Sequence, residues 1–241
     1  CGPPLAPRPN MYFNWTVMLP PDCVASGPDG WLRTDLPAER TFPAEVYFHA
    51  RHYSHAKPRQ KYLLDSIQIA PHDYPVSGWY GFNDAWGKLR PLSAGTVRDH
   101  TQRRIAAFLD WAARTFPIDT KRILAVGGDV AALTAPMHPE RFSCVLIDKF
   151  ENEVLADDAA ERFAPVWGPR SRDITDARGL SEWSWAMLDE RVKARPEVDL
   201  PLFVCRGYSW GPHVVGFARG AGRFYDAMLA ARQPLVADWT W

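Results

Sequence analysis

The chain has 241 residues, 46% of them hydrophobic, and its 28 basic side chains balance 28 acidic ones. That balance removes the basic excess that marks a nucleic-acid-binding domain, and there is no acidic tail. No apolar run approaches the roughly 18 residues that a membrane helix needs, and no charged-then-apolar leader opens the chain, so a soluble protein without a membrane span is expected.

A chain of this length can bury one sizeable core. The expected organisation is an extended lead-in over 1–11 and a single domain over 12–241. Cys1, Cys23, Cys144 and Cys205 include no C-x-x-C pair, which argues against a zinc or redox motif. Cys144 and Cys205 lie in apolar runs and read as buried thiols. Cys1 and Cys23 can pair if the protein is exported. An opening Cys1 fits a lipoprotein after signal cleavage and fits a fragment equally; the compartment stays open, with an extracytoplasmic one favoured.

In chain order, the proline-rich residues 1–10 cannot form a helix. The run 11–20, MYFNWTVMLP, is rich in β-formers and is closed by Pro20–Pro21, so it predicts a strand. Asp22–Glu39 reads as loop with one short strand at Trp31–Arg33. Phe42–His49 and Ser66–Pro71 predict two apolar strands. From His72 a long loop, including PVSGWYGFNDAWGKLRP over 75–91, is dense in Gly, Trp and Tyr. Loops this long are usually functional or disordered; the aromatic content argues for order, and this one is expected to wall a surface cleft. Thr96–Phe116 has helical period. Ile123–Val126 predicts a buried strand, the turn Gly127–Ala131 follows, and an alanine-rich helix leaves it. Phe142–Ile147 predicts a strand ending at Asp148. Arg162–Leu180 reads as irregular, Ser181–Ala194 as helix, Pro201–Cys205 as strand, Gly216–Arg232 as helix and Leu235–Trp239 as a last strand. Strands alternating with helices predict an α/β fold, a mostly parallel central sheet with helices on both faces. Ligands of such sheets sit beyond the carboxyl ends of the strands, which puts His49, His72, Asp129, Asp148 and the residues after Cys205 on one rim.

Several residues carry chemistry on that rim. Small residues two positions either side of Asp129, namely Gly127 and Ala131, make Gly127–Ala131 a nucleophile-elbow layout with aspartate at its centre. His49, His52 and His55 recur every third residue, but a strand end running into a loop turns successive rings apart, so no metal is expected. His72–Asp73 reads as a hydrogen-bonded pair or as turn chemistry before Pro75. Of eleven tryptophans, those in predicted loops, Trp79, Trp86 and Trp210, are the better candidates for stacking on a ligand, with Tyr80 beside them. Gly207–Gly211 matches G-x-S-x-G through Ser209, yet Pro212 follows and no helix starts there. Asn14–Thr16 is a glycosylation sequon inside a predicted strand and reads as chance.

The order of segments resembles the α/β-hydrolase superfamily, in particular its secreted esterase and S9-peptidase-like branch, over about residues 12–241. The carrying residues are Phe48–His49–Ala50, Ser77–Gly81, Phe116–Ile123, the elbow, and His138–Phe142. The resemblance implies a nucleophile at Asp129, where serine is usual, with oxyanion donors from the backbone of Ala50 and Val130. The family's acid turn corresponds to Gly207–Trp210, which holds no acid, and its histidine lies just past the last strand, where this sequence reaches Trp241. One reading is a lineage member with lost or altered hydrolysis and an aromatic-walled cleft for a small ester or glycan-type ligand. The alternative is an active hydrolase in which Asp129 attacks an sp3 carbon, as in epoxide and haloalkane hydrolases, with Asp148 as the orienting acid; the resulting ester is then hydrolysed by water. A third, weaker reading uses Ser209. No cofactor is expected, and the oligomeric state stays open.

Overall fold

The computed structural model describes residues 5–9, 11–23, 25–26, 32–33, 40–49, 53–56, 61–73, 77–148, 159–169, 187–206 and 222–238. Their strands are β1 (Trp15–Met18), β2 (Ala25–Ser26), β3 (Leu32–Arg33), β4 (Phe42–Phe48), β5 (Ile67–Pro71), β6 (Phe82–Asn83), β7 (Val97–Arg98), β8 (Ile118–Gly127), β9 (Cys144–Asp148), β10 (Leu202–Arg206) and β11 (Leu235–Asp238). The helices are α1 (His100–Thr115), α2 (Asp129–Thr134), α3 (Ala159–Trp167), α4 (Leu188–Ala194) and α5 (Gly222–Ala230).

Seven strands make one sheet in the order β1-β5-β4-β8-β9-β10-β11. Only β1 runs antiparallel, pairing Trp15 with Pro71 of β5, while the other neighbours are parallel. β5 is buried along its whole length, β4 along most of it, and β8 from Ile123 to Gly127, because both faces of the sheet are covered there, while Asp119–Arg122 at the start of β8 are at least partly exposed. On one face Ile123, Ala125, Val145, Ile147 and Phe203 join a large core with α1 through Ile105 and Leu109 and with α5 through Phe224 and Met228. The opposite face carries the smaller cluster of Leu124, Val126 and Leu146.

Several elements differ from the sequence expectation. Strand β1 is four residues long because its pairing with β5 ends at Met18. The predicted start of the first long helix, Val97–Arg98, is instead a two-residue strand paired with Phe82–Asn83, and α1 begins at His100. Residues 162–167, expected to be irregular, are helical although Pro165 lies inside α3. Burial of Phe163, Val166 and Trp167 on one side of α3 outweighs the proline, and the Trp167 indole N–H donates to Gly81 O at 3.0 Å. Helix α4 starts at Leu188, after a non-helical Met187, and residues 181–186 and 216–221 lie outside the described set.

Two buried polar groups organise the loops. Glu45, on β4, accepts from Tyr62 N–H at 3.1 Å, Leu63 N–H at 2.5 Å and Ser66 Oγ at 2.7 Å, fixing the turn that enters β5. Asn83 donates to Leu92 O and Trp167 O, both at 2.9 Å, and accepts from Ala85 N–H at 2.9 Å. Its whole side chain is thereby partnered, and the β6 loop is pinned to the end of α3.

Candidate functional site

The strand order reverses between β4 and β8: the chain steps from β4 outward to β5, then from β8 through β9 and β10 to β11 on the other side. In an open parallel sheet the crevice at such a reversal is where ligands bind. The two strands reach it in register, with Phe48 opposite Gly127, so His49 leaves β4 alongside the turn that leaves β8. That turn is tight. Gly127 has φ +157°, and a Cβ there would stand 2.7 Å from Phe48 O. Gly128 turns the chain at φ −84°, ψ −143°, α2 starts at Asp129, and Ala131 N–H donates back to Gly128 O at 3.1 Å. Ala131 is fully buried, so the small residues flanking the turn follow from how closely β4 and the core approach it. For Asp129 and Asp148 the description stops at the backbone: Asp129 opens α2, and Asp148 ends β9 opposite Arg206 of β10. Val130 is half-buried against the core. Ala50, Ser209 and Trp210 lie outside the described residues.

Beside this turn three histidines meet. His49 and His72 follow adjacent parallel strands, and their rings are 5.2 Å apart at 72°. His55 returns from the intervening loop so that its Nδ1 lies 2.9 Å from Nδ1 of His72. One of these two nitrogens must carry the proton and the other accept it. The His49 Nε2 accepts the backbone N–H of Asp73 at 3.4 Å, which places the His49 proton on Nδ1 when the ring is neutral. Burial, and then the neighbouring His49 and His55 rings, push the His72 pKa below the ordinary histidine value, with Asp73 pulling it up. The third-residue spacing in the sequence named His49, His52 and His55; the fold brings His72 to His49 and His55, and His52 lies outside the described residues. No group of three His, Cys, Asp or Glu among the described residues has metal-holding geometry.

Behind the histidines lies a buried polar chain that the sequence did not reveal. The Asp73 carboxylate accepts Ser77 N–H at 2.8 Å, Trp79 N–H at 3.0 Å and the Ser77 hydroxyl. Ser77 Oγ is 3.0 Å from Thr101 Oγ1, which in turn accepts from Arg104 Nη2 at 2.8 Å. Arg104, Thr101, Ser77 and Asp73 thus form a run of donors ending on a carboxylate, linking a buried cation to a buried anion through two hydroxyls. Burial pushes the Asp73 carboxyl up while Ser77, Trp79 and Arg104 pull it down. Desolvation brings the Arg104 guanidinium down to about 10, against the pull of Asp73. His72–Asp73 is therefore turn chemistry: the Asp73 side chain turns into its own loop, and only its N–H reaches the His49 ring.

The loop aromatics are placed differently from expectation. Trp79 and Tyr80 are each 3% exposed. Trp79 packs edge-on against Phe48 at 5.2 Å and His49 at 4.9 Å, and Tyr80 against Trp167 at 5.9 Å. Neither ring offers a face to a ligand, because the loop folds inward around Asp73. Trp86 is half-buried beneath the Arg8 guanidinium, 4.9 Å from its ring. His55 and His72 are half-buried, as are Gly128 and Val130 at the turn.

By structure the chain is similar to an S-formylglutathione hydrolase from Agrobacterium tumefaciens, with a TM-score of 0.61 and 14% identity, covering 94% of this chain and 80% of that one. It is similar to a prolyl endopeptidase, with a TM-score of 0.53 and 15% identity, over 92% of this chain and 34% of that one. An oligopeptidase B from Trypanosoma brucei matches with a TM-score of 0.52 and 11% identity, over 94% and 33%. The chain spans about a third of the length of these two peptidases. At such identities the likeness shows the fold, which is that of the α/β-hydrolases. No family model matches the sequence, and neither does any curated protein.

Proposed function

We propose that this α/β-hydrolase-fold chain is of esterase- and peptidase-like lineage, has lost serine-type hydrolysis, and binds a small ester- or glycan-type ligand at the rim where β4 and β8 end. The observation that carries the reading is Asp129 as the first residue of α2, directly after the Gly127–Gly128 turn. In this fold that is where a nucleophile belongs. A carboxylate attacking a carboxylic ester would yield an anhydride, a poor intermediate for ester hydrolysis. Gly127 and Ala131 remain because the approach of Phe48 O and the packing of the core demand small residues whatever the chemistry. The buried state of Trp79 and Tyr80 moves the ligand contacts from an aromatic wall to the imidazoles of His55 and His72, groups that hydrogen-bond oxygen-rich ligands.

The test is a panel of p-nitrophenyl esters, epoxides and haloalkanes assayed with the wild type and with Asp129→Ala. No turnover above the variant's level is expected. Epoxide or haloalkane turnover that Asp129→Ala abolishes would overturn the reading in favour of Asp129 as a nucleophile on an sp3 carbon.

A further inference from the structure

Residues of the N-terminal segment lie over α1 and line an open groove of about 570 Å³. Apolar groups of Leu5, Pro7, Met11 and Phe13 line it together with two guanidinium groups, Arg8 and Arg104, and no carboxylate belongs to the lining. Arg104 is only 7% exposed. Its Cζ sits 3.5 Å above the Phe13 ring and 5.6 Å from that of Phe82. Nη2 donates to Thr101 Oγ1 at 2.8 Å and Nη1 to Leu5 O at 3.3 Å. A guanidinium has five N–H donors, so three have no acceptor among the described residues, and the nearest counter-charge, Asp73, is reached only through the Thr101 and Ser77 hydroxyls. The Arg104 Nε, which makes neither bond, is not among the fully buried nitrogens that lack a partner, so it stays reachable by a ligand.

We propose that this groove binds an amphiphilic carboxylate, its head group on Arg104 and its apolar chain along Leu5, Pro7, Met11 and Phe13. A single guanidinium presents a planar fork that matches a carboxylate, the aromatic faces on Arg104 exclude water from the contact, and the rest of the lining is hydrocarbon. Arg8 adds a second cation, so a neutral or cationic amphiphile finds no complementary charge. The site is independent of the Asp129 rim, and activity on the ester, epoxide and haloalkane panel has no bearing on it.

The experiment is calorimetric titration of the full chain with decanoate below its micelle concentration, with decanol and decyltrimethylammonium as length-matched controls. Saturable one-site binding of decanoate is expected, with both controls at least about tenfold weaker, as loss of a charge-assisted contact implies. Arg104→Gln should weaken decanoate by about tenfold or more. Because Arg104 also ties Thr101 to Leu5, two further variants separate binding from folding. Arg8→Gln should weaken it several-fold, and Met11→Trp, which fills the groove with both arginines intact, should abolish it at unchanged circular dichroism. Absence of saturable binding overturns the proposal. So does decanol binding as tightly as decanoate, or decanoate binding unchanged by Met11→Trp.

Discussion

The Asp73 carboxylate accepts the backbone N–H of Trp79 at 3.0 Å, and Trp79 holds its backbone at φ 62°, in the left-handed region that a bulky residue rarely adopts. The strain of such a residue, on the order of 1–3 kcal/mol, is offset by that bond, by the two Ser77 donors on the same carboxylate, and by burial of the indole. Asp73→Ala removes the acceptor from all three donors and strips Arg104 of its relayed counter-charge. A loss of about 3–5 kcal/mol in urea unfolding is expected, with Asp73→Asn losing less because its carbonyl still accepts. Equal stability of wild type and Asp73→Ala would refute the account of the loop.

Trp79 itself separates a packing role from a binding one. Its ring fills the space between Phe48 and His49, so Trp79→Ala should cost about 3–5 kcal/mol through the cavity left behind. A ligand-stacking residue would instead lose affinity at nearly constant melting temperature. Thermal unfolding of the variant decides between them.

How much of this was legible in the sequence depended on the range of the interactions. β4, β5, β9 and β10 lie within a residue or two of their predicted limits because each is an apolar run closed by proline or a polar residue, a local signal. β6 and β7 are two residues each, too short to show a period, and α3 was hidden by Pro165. The tight turn after β8 could be read from Gly127, Gly128 and Ala131. The inward fold of the next loop could not, since it depends on contacts from Asp73 to Trp79 and on to Thr101 and Arg104. The four-residue spacing of Asp73 and Ser77 was the available hint, a carboxylate placed to take local N–H groups. The histidine cluster was only half legible. His49 and His55 share a segment, but His72 joins them because β4 and β5 are sheet neighbours, which no spacing reveals.

The histidines predict a pH dependence. The folded chain holds the His72 pKa below the ordinary 6.5, so the unfolded chain takes up that proton at higher pH. The stabilisation is therefore complete above about pH 6.5 and is lost as pH falls through the lowered folded value. Asp73, pushed up by burial, acts in the opposite sense, since its proton uptake favours the folded state as pH falls. Comparing wild type with His72→Gln isolates the histidine. The melting temperature of the wild type should fall more steeply between about pH 7 and pH 5, and parallel profiles would remove His72 as the source.

Glu45 tests how far one buried carboxylate organises the entry to β5. It lies in the middle of β4 and accepts from Tyr62 N–H, Leu63 N–H and the Ser66 hydroxyl, with no cation among these partners. Glu45→Gln should keep one acceptor oxygen and force an amide N–H against a donor, a loss of about 1–3 kcal/mol. Glu45→Ala leaves the Tyr62 and Leu63 N–H groups without their acceptor, while Ser66 Oγ keeps Leu63 O at 2.8 Å, and should lose more. Hydrogen exchange at Tyr62 and Leu63 should accelerate in both variants while the β8 amides of Leu124 to Val126 keep their protection. Uniform acceleration across both sets would mean that Glu45 contributes to global stability instead of holding this turn.

Gly127 links the fold to the candidate site. Its φ of +157° and the 2.7 Å approach of its absent Cβ to Phe48 O mean that alanine can enter only if β4 and β8 part, or if the turn relaxes toward ordinary backbone angles. Either movement shifts the Phe48–Gly127 register that carries His49 to the side of Asp129. Gly127→Ala should therefore destabilise the protein by about 2 kcal/mol or more. It should also speed hydrogen exchange at Ala131, whose N–H closes the turn on Gly128 O. Because the strain is local, α1 and α5 amides should slow or quicken only in step with global stability, so Ala131 must lose more protection than they do. If Ala131 stays as protected as α1, the turn tolerates a Cβ, and the glycine reflects something other than the close approach of β4.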